Sequence, residues 1–216
     1  LISGDKYTGV AIMHMEEGLD TGPVLIQEKI EIKNNDNYQV LSDRLSQLSS
    51  KLIINAVDLI KDKGIISLSE RIKKLKMISQ EKLYGDVEYA SLIKKEDLLI
   101  EWDSSSLDIH RKVMGLYPNA YTYWEGKRIK ILSTYYSLKD FCDQFYIDRI
   151  RNIIERNRFK RPGTIVDVSN KYGIIVLTSD LPIIIIEAQL EGKRPAGKSN
   201  LINQLKASTG KLFKSI

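Results

Sequence analysis

Leu41, Leu45, Leu48, Leu52, Ala56 and Ile60 recur at three- and four-residue intervals, and this stripe constrains the fold more than any other feature of the chain. Apolar side chains at that spacing lie along one face of an α-helix, so the residues after Asp36 are expected to form one long helix that must bury that face. Gly64 is its expected stop. On the amino-terminal side the period is two instead. In "TGVAIMHM", Val10, Ile12 and His14 alternate with Ala11, Met13 and Met15, which reads as a strand with both faces largely buried. "PVLIQEKIEI" reads as a second strand that could pair with the first.

After the helix the pattern changes again. Residues 67–88 mix charge with scattered apolar residues and read as a linker crossing a surface. "EWDSSSLDIHRKVMGLYPN" then predicts a Ser or Asp cap, a short helix through Leu107, Val113 and Met114, and a Gly115 exit. "AYTYWEGKRIKILSTYYS" predicts a hairpin with Glu125–Gly126 at its tip. "GTIVDVSNKYGIIVLTSDLPIIIIEAQLEGK" adds three short strands. Short strands with tight turns plus a helix fit a small OB-like barrel, with a short sandwich as the alternative. The fold class expected is therefore α/β followed by a β-rich barrel. Between hairpin and strands, Ile147, Ile150, Ile153 and Ile154 form a helical stripe. Arg149, Arg151, Arg156, Arg158, Lys160 and Arg161 crowd its end, so residues 138–161 read as a basic helical insertion.

Charge is unevenly divided. Residues 1–88 hold 12 Lys+Arg against 14 Asp+Glu, and residues 89–216 hold 21 against 14. The positive balance of the second part is what contact with an anionic polymer requires, although a solvated surface produces it too. One cysteine, Cys142, forbids an internal disulfide, and two histidines, His14 and His110, supply no zinc-ligand cluster. His110, beside Arg111 and Lys112, reads as a surface or capping histidine. No run approaches the ~20 apolar residues that span a bilayer and no secretory leader is evident, so a cytoplasmic location is expected.

The stretch with the clearest chemical content is "HMEEGLDTGPVL", His14 to Leu25. Asp20 stands at a strand end between Gly18 and Gly22. An aspartate in such a turn commonly hydrogen-bonds its own backbone. Alternatively, the glycines let the main chain approach a ligand while Asp20 acts as an acid, base or electrostatic group.

"TGVAIMHMEEGLDTGPVLIQEKIEI" resembles the strand, aspartate loop and strand of the folate-dependent formyltransferases. The likeness continues through "LSDRLSQLSSKLI", "EYASLIKKEDLLIEW", "IHRKVMGLYPNAYTYWEGKRIKI" and "GTIVDV" to "EGKRPAG". The aspartate loop alone is shared with family members acting on small amines or amino sugars. The later segments resemble the branch that acts on tRNA.

The resemblance implies transfer of a formyl group from 10-formyltetrahydrofolate to the amino group of methionyl initiator tRNA, without a metal. Asp20 is then the catalytic carboxylate, on a loop supported by Gly18, Thr21 and Gly22. The family pairs this aspartate with an Asn-x-His motif and a Ser-Leu-Leu-Pro segment, and neither occurs here. The expectation is a chain without the amino-terminal catalytic half, inactive alone, and a monomer when complete. His14 is expected to be a packed histidine rather than a substitute. The implied domains are 1–66 (end of a Rossmann-like catalytic domain), 67–88 (linker) and 89–216 (tRNA-binding). Lys127, Arg128, Lys130, Lys193, Arg194 and Lys198 are the candidate phosphate contacts. Tyr121, Tyr123, Trp124, Tyr135 and Tyr136 are expected either to stack bases or to fill the core. A tRNA-binding module without catalysis, or a formyltransferase for a small amine or amino sugar, are the alternatives.

Overall fold

A computed structural model describes residues 1–214 apart from 19, 65, 84–89 and 158–159. Arg158 and the end of the expected linker therefore lie outside the described residues. The chain divides into two compact units, one of residues Asp5–Leu92 and one of Leu1–Gly4 with Ile93–Ile216. No helix among the described residues is long and apolar enough to cross a membrane.

In the first unit, β1 (Tyr7–Met13) and β2 (Val24–Glu31) form an antiparallel pair, with Tyr7 opposite Glu31 and a register shift at Ile12/Met13. Both strands pack on α1 (Tyr38–Lys61), which turns Leu41, Leu48, Leu52 and Ala56 inward as the stripe requires. Asn37 caps α1 by accepting from the Val40 N–H, and Gly64, at φ +67°, follows its end. Asp36, 5% exposed, pairs with Arg44, whose guanidinium also donates to the Glu31 carbonyl and so ties the end of β2 to α1. One expectation fails here. Both faces of β1 are half-buried or exposed, because among the described residues β1 pairs with β2 alone and α1 packs against the pair.

The expected linker also carries structure. Ser67 and Glu70 form a reciprocal capping box at the start of α2 (Leu68–Lys74). Seven residues are too few for the apolar period to register, whereas the cap itself is written in the sequence.

In the second unit, α3 (Ser106–Gly115) is capped by Ser105 and held from outside by Asp180, which accepts from the Ser106 N–H at 2.8 Å. Its Ile109, Val113 and Met114 pack into the main core. The sheet contains β3 (Tyr121–Trp124), β4 (Lys127–Tyr135), β5 (Ile165–Ser169), β6 (Gly173–Val176) and β7 (Ile183–Leu190) in the order β3-β4-β7-β6-β5. A short β8 (Ala196–Gly197) pairs with β7 and leads into α6 (Lys198–Leu205). Glu125 and Gly126 both take positive φ at the β3–β4 tip, as a two-residue hairpin requires.

Among the described residues the strands form an open order rather than the expected closed barrel. Both outer edges of the sheet are instead bonded to the carboxy-terminal segment, with Lys214 exchanging backbone bonds with Tyr123 of β3 and Ile165 of β5 donating to Lys211. The four consecutive isoleucines of β7 lie at the centre of the sheet. Ile183 and Ile185 face the main core with Trp102, Trp124 and Phe213, while Ile184 faces a second core. That second core is built by the insertion, α4 (Leu138–Phe141) and α5 (Gln144–Asn157), which lays Tyr146 and Ile150 against Val166, Tyr172 and Ile175. A strand covered on both faces has no polar side to alternate with.

Candidate functional site

The Asp20 loop joins β1 to β2, and its base is closed by the His14 N–H donating to the Pro23 carbonyl at 3.0 Å. Its two glycines differ in how strictly the loop needs them. A Cβ on Gly22 would stand 1.7 Å from the His14 carbonyl oxygen, and one on Gly18 would stand 2.6 Å from Thr21 Oγ1. No rotamer change relieves a clash with backbone, so Gly22 accepts no side chain unless the loop moves. The sequence pointed to glycine between the strands, but the close approach is to the loop's own main chain.

Asp20 takes the left-handed conformation, φ +54°, which costs a non-glycine residue of order 1 kcal/mol. It is exposed, and its carboxylate has no hydrogen bond or ion pair among the described residues, so it does not bond its own turn. The carboxylate borders a concavity of about 240 Å³ lined by His14, Glu16, Gly18, Asp20, Thr21 and Gly22, with Met13, Met15 and Glu17. His14 shares that concavity. Its Nδ1 is buried without a partner, an arrangement that costs about 1–3 kcal/mol unless a group outside the described residues bonds it.

Gln80, which the sequence reading did not single out, holds this loop. Its Nε2 donates to the Gly22 carbonyl at 2.8 Å and approaches Met13 Sδ at 3.3 Å. Two residues earlier, Ile78 and Val24 exchange backbone bonds at 2.8 and 2.9 Å, so the segment after α2 lies as a strap beside the start of β2. The only local signal was the capping box that turns the chain back.

The candidate basic residues separate by strand register. Arg128 and Lys130 pair with Tyr123 and Tyr121 on the outward face of the β3–β4 hairpin, while Lys127 pairs with Trp124 at the strand end. Lys193 and Arg194 are exposed in the β7–β8 turn, and Lys198 begins α6 at φ +46°. The aromatic residues divide in the same way. Trp124 is 3% exposed in the core, 4.7 Å from the Phe213 ring, and Tyr121 and Tyr123 stay half-exposed. Tyr135 packs on Phe141 of the insertion, ring centroids 4.6 Å apart.

One residue differs from expectation. His110 is not at the surface but 4% exposed, its Nδ1 3.0 Å from Thr134 Oγ1, because α3 presses that face onto β4. The insertion is helical, as expected, and is anchored to the sheet. Asp167 of β5 accepts from Tyr146 at 2.7 Å and pairs with Arg149 at 2.9 Å, which takes one of the arginines out of the free basic set. Burial pushes the Cys142 thiol up to about 11, with Asp143 adding to the effect, so the thiolate is scarce at neutral pH.

The first unit carries an aspartate loop between paired strands that pack on a long helix, and the second unit is β-rich; comparison with known proteins gives the family. Residues 1–57 match the description "Formyl transferase" and residues 92–206 match "Formyl transferase, C-terminal domain", so the chain belongs to the formyl transferase family. Among its relatives, the methionyl-tRNA formyltransferase of Synechococcus sp. (strain CC9902) is 43% identical over 217 residues, covering 100% of this chain and 63% of that protein. That of Prochlorococcus marinus (strain MIT 9313) is 42% identical, covering 97% and 62%. The chain thus spans less than two thirds of these relatives' length. The crystal structure of HypX from Aquifex aeolicus in complex with tetrahydrofolic acid shares the fold at a TM-score of 0.61 and 11% identity, over 97% of this chain and 32% of that one.

Proposed function

We propose that the gene product carrying this chain transfers a formyl group from 10-formyltetrahydrofolate to the amino group of methionyl initiator tRNA in the cytoplasm, as a monomer and without a metal. In this reading residues 1–66 complete a catalytic domain, 67–88 link it to the rest, and 89–216 hold the tRNA through Lys127, Arg128, Lys130, Lys193, Arg194 and Lys198. The observation that carries it is the partner-free carboxylate of Asp20, held in a left-handed turn at the edge of a concavity in a formyl transferase chain.

The donor supplies an activated formyl carbon. Asp20 supplies a carboxylate that takes or orients the proton leaving the attacking amine, a role that needs a group without a competing internal partner. Gly18, Thr21 and Gly22 set its position, and Gln80 fixes the Gly22 end. The concavity of about 240 Å³ beside Asp20 then receives the reacting end of the substrates.

The test is formylation of methionyl initiator tRNA by the complete gene product. Asp20→Asn is expected to lower kcat/KM by roughly 10²–10⁴ with tRNA binding retained. Full activity in Asp20→Asn overturns the catalytic role. Formylation of an amino sugar in place of methionyl-tRNA overturns the substrate.

A further inference from the structure

The outward face of β3 carries two aromatic rings that the core does not use. Thr122 and Trp124 point inward and are 0% and 3% exposed, whereas Tyr121 and Tyr123 alternate with them and remain half-exposed. Their rings meet edge to face at 5.8 Å. Neither hydroxyl has a hydrogen bond among the described residues, so both are left to solvent or to a ligand.

Strand pairing surrounds these rings with cations. Tyr123 lies between Arg128 on one side and Lys214 on the other, and Tyr121 lies opposite Lys130. The Arg128 guanidinium sits 3.8 Å from the Tyr121 ring centre. None of the three cations pairs with a carboxylate among the described residues; Lys130 reaches only the neutral Asn119. Of the neighbouring acids, Glu125 is taken by Lys211 at 2.8 Å, and Glu191, whose backbone N–H donates to the Arg128 carbonyl at 3.0 Å, forms no side-chain ion pair among the described residues. Beside Tyr123 a groove of about 680 Å³ opens between the hairpin tip and the 211–214 segment, walled by Trp124 and Leu212.

We propose that this face is a stacking platform for unpaired nucleotides of an RNA, with Tyr121 and Tyr123 receiving bases and Arg128, Lys130 and Lys214 receiving phosphates. The proposal rests on the reading of the gene product as a tRNA-modifying enzyme and adds to it where, and in what form, the RNA is held. Charge complementarity selects a polyanion. The aromatic rows within it select exposed bases over a paired helix, whose bases are already stacked.

The experiment uses the full-length gene product and a short single-stranded RNA carrying 2-aminopurine, with a blunt RNA duplex for comparison. Wild type and Tyr123→Phe are expected to quench the probe. Tyr123→Leu, which keeps an apolar body without a ring, is expected to lose the quenching and bind roughly five- to a hundredfold more weakly. Arg128→Gln is expected to reduce the slope of log affinity against log salt by about 0.7. Equal quenching by wild type and Tyr123→Leu, or equal weakening on the duplex, overturns the platform even if methionyl-tRNA is formylated. Tyr123-dependent quenching without formylation of methionyl-tRNA supports the platform and overturns the enzyme reading.

Discussion

Asp20 and Asp143 show two opposite uses of a carboxylate. Asp20 stands unbonded among the described residues, while Asp143 accepts from the Tyr172 hydroxyl, from the Tyr146 N–H at 2.9 Å and from Lys171 at 3.1 Å. These bonds, the Tyr172 hydroxyl foremost, lower the Asp143 carboxyl from its ordinary 3.8 to about 2. A depressed carboxylate contributes stability above its unfolded pKa, and that contribution disappears as pH falls through the folded value. Asp143→Asn is therefore expected to melt below wild type at neutral pH, with the gap closing between pH 3.8 and about 2. Thermal melts across that range check it, and a gap that stays constant with pH contradicts it. Residue types carried much of this scale. The Asp between glycines was visible, but its freedom from internal partners was not, since an Asx turn has the same letters.

At the scale of elements, the strap that follows α2 has the largest consequence for the site. Gln80 lies 58 residues beyond Gly22, and its donation to the Gly22 carbonyl fixes the loop from outside. Gln80→Leu in the complete gene product is expected to lower kcat between roughly tenfold and a hundredfold, the scale of a small misplacement of a reacting group. KM for methionyl-tRNA should hold and the melting temperature should change little. Gln80→Glu, equal in shape but unable to donate to that carbonyl, should behave like Gln80→Leu; unchanged kcat in both removes Gln80 from the site. The long helix, the hairpin tip and the three short strands were legible because each is a local pattern of period or turn residues. The strap was not, because its meaning lies in a bond across 58 positions.

For the molecule as a whole, the insertion decides how the second unit is layered. Without it, the face of β5, β6 and β7 that carries Val166, Ile175 and Ile184 would be bare. With it, the sheet has two cores. Ile150 is fully buried in the second core, and Ile150→Ala is expected to cost roughly 2–5 kcal/mol, measured by denaturant melts. A loss under about 0.5 kcal/mol, the scale of surface substitutions, contradicts an integral layer.

The sequence by itself determined the long helix, the hairpin, the short strands and the turns between them, the aspartate loop and the family. Those are properties of neighbouring residues, read through helical and strand period and backbone preference. Only the tertiary structure decided that Tyr121 and Tyr123 face outward among cations, that His110 is buried, that the insertion is a layer and that Gln80 holds the loop. Each of these depends on strand register or on contact between distant segments, which burial and hydrogen bonding select when the chain packs and which leave no periodic trace along it.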